Sequence, residues 1–214
     1  MDTGGRPYGT IAGLVDLNRG AGSGIARRTL AVNGQFEVSG PVNGQGLPPV
    51  KDMRYGVSHI ARAGCGVIAV YNALLLLGNP HRFCEVVAWG DRKAAALFGL
   101  LGTLPWRAKK LFQQLGYTVD TVTDVALFDR CAQRADTCLF TYWNQKGSIR
   151  QGMHTVCLQY RAGALDIYNL SNRCPGVSRK STLKEWAAGG IGPVVLYCIH
   201  AAHGVGGVAD TTPA

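Results

Sequence analysis

The chain has 214 residues, of which 47% are apolar and 16% charged, enough to fill the core of one domain and too apolar for a disordered chain. Its net charge is +9, but the basic residues are scattered pairs such as Arg27-Arg28, Lys109-Lys110 and Arg179-Lys180. With no basic run and no aromatic-interleaved motif, they read as a solvated surface and not as a specific nucleic-acid site.

Residues 1–50 hold eleven of the 29 glycines and read as an N-terminal arm or β-appendage. Within it, Thr29 to Val38 is predicted to form a hairpin turning at Asn33-Gly34. Gln45-Gly46-Leu47-Pro48-Pro49 reads as a linker. A domain over residues 51–200 follows, and residues 201–214 read as a flexible tail. Ala63-Gly64-Cys65-Gly66 is a turn feeding an apolar helix over about 67–77, which stops at Gly78-Asn79-Pro80. Helices are expected over about 82–89, over 92–100 with Asp91 as its cap, and over 104–115. The period then changes. Strands are expected over 117–122, 137–143, 153–160, 165–170 and 192–199, with short helices at 125–135 and 181–188. Helices first and antiparallel strands afterwards make an α+β fold.

The longest apolar run, Val67 to Leu77, is too short to span a bilayer, which takes about 20 residues. No signal-peptide pattern opens the chain, so a cytoplasmic location is expected, with a non-classical or effector route as the alternative. The seven cysteines form no CxxC pair and no zinc spacing, which predicts reduced thiols, with Cys157 and Cys198 in the core. His81, His200 and His203 supply no ligand set, so neither a metal nor a cofactor is expected.

Cys65 is the residue with chemical promise. At a helix start, unpaired N–H groups and the positive dipole end favour a thiolate. Gly64 and Gly66 would let a substrate carbonyl approach, and the Cys65 N–H would face the oxyanion. A base is needed, and His154 opens a strand whose hairpin, turning near Ala162-Gly163, returns at residues 168–172. Asn169 or Asn172 would then orient the imidazole. Trp143, ending the preceding strand, would wall the cleft.

Gly64-Cys65-Gly66 before a helix with Tyr71-Asn72-Ala73-Leu74, then Gly152-Met153-His154 and Ile167-Tyr168-Asn169, resembles the papain-like cysteine peptidase superfamily. Within it, the chain is similar to small bacterial peptidases of the bacteriocin-leader-processing type, over about residues 53–199. The resemblance implies Cys65 as nucleophile, His154 as general acid and base, and Asn169 as orienting residue. The family's oxyanion glutamine, six residues before the cysteine, is replaced by His59 here, whose N–H would serve in its place. A thiol-dependent hydrolase acting on a peptide or protein substrate is therefore expected. The alternatives are a catalytically silent binding module and an acyltransferase or deamidase effector on the same fold.

Overall fold

The computed structural model describes residues 9–11 and 23–201, with the side chains of Ile149 and Gln151 left aside. Of the expected tail, only Ala201 falls within that range. The helices are α1 (Ser23–Asn33), α2 (Ile60–Ala63), α3 (Cys65–Leu76), α4 (Phe83–Trp89), α5 (Pro105–Gln114), α6 (Phe128–Arg134) and α7 (Leu183–Ala188). The strands are β1 (Arg54–Tyr55), β2 (Ser58–His59), β3 (Thr118–Val122), β4 (Thr137–Gln145), β5 (Ser148–Arg161), β6 (Ala164–Tyr168), β7 (Ser178–Lys180) and β8 (Gly192–His200). The fold is α+β. Strands β3 to β8 form one antiparallel sheet in the order β3-β8-β4-β5-β6-β7, and β1 pairs with β2 apart from it.

Both faces of that sheet are covered, which is why β4 is buried from Thr137 to Tyr142 without alternation. On one face Leu139, Cys157, Tyr197 and Ile199 pack against α3 and its neighbours. On the other, Phe140, Tyr142, Val156, Leu158 and Leu196 pack against Phe128 of α6 and Leu183 of α7. Helix α3 is apolar all round and buried from Gly66 to Leu74, as a helix wrapped by core must be. Its one central polar side chain, Asn72, is satisfied by the chain that crosses it. Asn72 accepts from Val42 N at 2.8 Å and donates to Val42 O at 2.9 Å.

The hairpin expected at Asn33-Gly34 is not formed. Residues 23–33 are helix α1, and Asn33 ends it. The Asn33 side chain donates to Arg54 O and accepts from Arg54 N, both at 2.8 Å, so a residue suited to a tight turn ties α1 to β1 instead. A regular helix over 92–100 is absent too. A wide turn over Gly90–Ala94 and a short 3-10 segment over Ala96–Gly99 replace it. Gly99 and Gly56 explain the break. Their chains approach so closely that a Cβ at Gly56 would lie 1.9 Å from Phe98 O, and one at Gly99 would lie 2.5 Å from Tyr55 O. Leu97 and Phe98 turn left-handed to make that contact (φ 45° and 56°), a conformation that costs on the order of 1 kcal/mol or more per residue.

Asp91 sits in this turn. Burial pushes its carboxyl up to about 6, against the pull of the Thr29 hydroxyl and the Gly56 N–H. A carboxyl raised above its unfolded value gives its full stability at acid pH and loses it as pH rises through about 6. Asp91→Asn is therefore expected to stabilise the fold by about 2 kcal/mol at pH above 7 and to change little near pH 4. Urea unfolding at both pH values checks it.

Candidate active site

Helix α2 and helix α3 are separated by one residue, Gly64. The interruption puts Cys65 at the first position of α3. Both flanking glycines are needed for packing. A Cβ at Gly66 would lie 2.5 Å from Thr103 Cβ, and one at Gly64 would lie 2.7 Å from Ile60 O. Neither glycine lines the cleft beside Cys65.

The sheet brings His154 to meet it. The β5–β6 hairpin turns on two residues, Ala162 (φ 45°) and Gly163 (φ 79°), with Arg161 opposite Ala164. This is the expected turn, and it sets the register. Pairing with β6 stops at Cys157 opposite Tyr168, so β5 has no sheet partner on that side before residue 157. The start of α3 reaches this open edge. Beside the Cys65 sulfur lie the His154 imidazole and the Thr155 and Gly66 N–H groups, all of which favour its thiolate.

The electrostatics follow from these contacts. Burial pushes the Cys65 thiol up, but the His154 hydrogen bond, the imidazole charge and the two N–H donors outweigh it. The thiol is left below the ordinary cysteine value. For His154, burial disfavours the cation, and the bond to Cys65, its charge and the Asn169 carbonyl together overcome that, raising the imidazole above its ordinary value. A lowered thiol beside a raised imidazole favours the thiolate–imidazolium form of the pair.

His154 is buried, and its ring stands edge-to-face on Tyr142, with centroids 5.8 Å apart. Tyr142 in turn packs on Phe140 and Trp186. His154 Nε2 lies 2.8 Å from Asn169 O. A carbonyl oxygen only accepts, so Nε2 carries a hydrogen, and Nδ1 is the nitrogen left for Cys65. Asn169 thus orients the histidine, but through its backbone carbonyl and not its side chain. The side chain is occupied elsewhere. Its Oδ1 accepts from Gln45 N at 3.0 Å and its Nδ2 donates to Gln45 Oε1 at 3.2 Å. Asn169 N donates to Asn43 Oδ1 at 2.8 Å. Asn169 is itself left-handed (φ 62°), a conformation asparagine tolerates, and the turn aims its carbonyl back at the ring.

Asn172, the alternative orienting residue, does not touch the imidazole. It donates to Ala61 O at 3.3 Å, and its own carbonyl accepts from Gly46 N at 2.9 Å. His59 is exposed on β2 and does not line the cleft. Trp143 does line it, as expected.

The cleft has a volume of about 370 Å³. Cys65 opens into it, and the lining is completed by Arg62 and Ala63, by Leu100, Leu101 and Gly102, and by Trp143, Gly152 and Met153. Leu101 is 70% exposed and Met153 45% exposed, so the walls offer apolar surface to a partner. Among the described residues no carboxylate pairs with Arg62. A scan against protein-family models and a search of curated proteins both found no match for the chain.

Among the described residues, no three His, Cys, Asp or Glu side chains converge as a metal site would require. His200 instead faces Asp120 at 3.2 Å. No described helix is long and apolar enough to cross a membrane. The seven thiols are unpaired, with Cys138, Cys157 and Cys198 buried in the sheet. The sequence reading missed Asn43 and Gln45. Gln45 is 3% exposed, yet it lies in what reads as a linker, and its only signal is an amide between two glycines.

Proposed function

We propose that the protein is a papain-like, thiol-dependent hydrolase that cleaves a peptide or amide bond through an acyl-enzyme. The observation that carries the reading is the Cys65–His154 pair, thiol lowered and imidazole raised, with Cys65 at the start of a buried helix and opening into a cleft. The order of the parts supports it as well: cysteine on the first core helix, histidine on a later strand, asparagine across the hairpin.

In this reading the Cys65 thiolate attacks the carbonyl carbon, and the oxygen takes the negative charge opposite the Cys65 N–H. The C–N bond breaks as His154 gives its Nδ1 proton to the leaving amine, which leaves a thioester and a neutral imidazole. His154 then takes a proton from water, the hydroxide displaces the sulfur, and the acid product departs. Asn169 O keeps the ring in plane through both steps. The apolar walls and Arg62, which no carboxylate pairs among the described residues, suit a peptide with an apolar side chain beside the scissile bond and a carboxylate nearby.

A silent binding module is the second reading, favoured by one observation: His59 stands away from the cleft, so the second oxyanion donor of the resemblance has no counterpart there. A leucyl-peptide vinyl sulfone separates the two. A hydrolase is expected to be labelled rapidly and at Cys65 alone, and to lose that labelling in His154→Ala. Slow, equal labelling of all seven thiols would leave only the binding module.

A further inference from the structure

Gln45 joins the two halves of the site. Its backbone N–H and side-chain Oε1 both engage the Asn169 side chain, at 3.0 and 3.2 Å. Its Nε2 donates to Ala61 O at 3.1 Å. Those two partners are the groups that matter behind the catalytic pair. Asn169 supplies the carbonyl that holds His154. Ala61 is four residues before Cys65, so in a continuous helix its carbonyl would accept the Cys65 N–H. The helix is instead broken at Gly64, and Ala61 O accepts from Gln45 Nε2 and Asn172 Nδ2, which fill both of its lone pairs.

We propose that Gln45 is a positioning residue for this site: it holds the carbonyl that aims His154 and, together with Asn172, occupies the carbonyl that would otherwise take up the Cys65 N–H. The proposal rests on the hydrolase reading above. It gives the Gly44–Gly46 segment a role behind the active site, with no contact to substrate. It also explains how a chain without the family's oxyanion glutamine keeps one donor free: the amides of Gln45 and Asn172 sit behind the helix break and not in front of it.

Two reactions of Cys65 separate this role from mere packing. Alkylation by iodoacetamide develops no oxyanion, whereas acylation by p-nitrophenyl acetate does. Both rates are measured against pH, with the modified residue located by peptide mapping and the melting temperature recorded for each variant. Gln45→Ala is expected to narrow the pH range of alkylation toward that of an ordinary thiol and imidazole, and to lower acylation relative to alkylation by about tenfold. Asn172→Ala loses a single exposed side-chain bond and is expected to keep its melting temperature. It should lower the acylation-to-alkylation ratio severalfold while leaving the alkylation profile unchanged. Should Gln45→Ala not fold, Asn172→Ala decides by that ratio. Folded variants with the wild-type profile and ratio would overturn the positioning role. A wild-type Cys65 that titrates as an ordinary thiol would overturn the hydrolase reading itself, a result visible before any variant is made.

Discussion

Under the hydrolase reading, alanine in place of His154 is expected to slow alkylation of Cys65 at neutral pH by about tenfold to thirtyfold and to reduce hydrolytic turnover on the order of 1,000-fold. The two numbers differ for a physical reason. The histidine's hydrogen bond and charge are the largest of the forces that hold the thiol down against burial. Without them only the Gly66 and Thr155 N–H groups oppose burial, and the thiol rises. The thiolate fraction at neutral pH then falls, and the greater nucleophilicity of the more basic thiolate restores part of that loss. Turnover suffers further because the leaving amine has lost its proton donor, itself a contribution of about 100-fold or more. The pH profile changes shape accordingly. Wild type should rise with thiol ionisation below the usual cysteine range and fall, in turnover, as the imidazolium deprotonates above the usual histidine range. The variant should show one rise, at alkaline pH. A His154→Ala protein that is alkylated at the wild-type rate would show that the sulfur does not depend on this imidazole.

The second large effect is structural. Asn72→Ala is expected to destabilise the fold by about 3 kcal/mol, lowering the melting temperature by roughly 6–12 °C. Asn72 is fully buried and is the partner of both backbone groups of Val42. Alanine leaves that N–H and C=O without their partner inside the core, and each unsatisfied group costs about 1–3 kcal/mol. Because Val42 leads directly into Asn43 and Gln45, the loss should also loosen the segment behind the site. Thermal unfolding of Asn72→Ala beside wild type measures the first effect. Limited proteolysis, with faster cleavage before residue 50, measures the second.

The parts of the site that were legible in the sequence are those that rest on short-range rules. Cys65 stood out because a glycine-flanked turn leads straight into a long apolar run, and buried helices have few other appearances. The β5–β6 register was legible because a two-residue turn at Ala162-Gly163 fixes which residues pair up to Cys157 and Tyr168, and the chain beyond Tyr168 then brings Asn169 to His154. The same rules fail where one residue serves two structures. Asn33-Gly34 suits a hairpin turn and a helix end equally, and α1 is too polar to announce itself by periodicity. The decision lies with Arg54, 21 residues away, whose backbone binds the Asn33 side chain. Residues 92–100 carry the composition of a helix, but the contact between Gly56 and Gly99 forbids one. Asn169 was found for the right neighbourhood and the wrong atom, since a left-handed residue presents its carbonyl where an extended one would present its side chain. Gln45 was out of reach. Its importance comes from Ala61 and Asn169, 16 and 124 residues away, and no local pattern encodes either distance.

Ultraviolet absorbance of the thiolate, titrated with pH and taken as the difference between wild type and Cys65→Ala, tests the ion pair most directly, because it needs neither a substrate nor a reagent. A transition that begins well below the ordinary cysteine range, and moves to alkaline pH in His154→Ala, is the result expected of a sulfur held by an imidazolium. A transition in or above the ordinary range in wild type would contradict it, and would leave Cys65 an ordinary structural thiol.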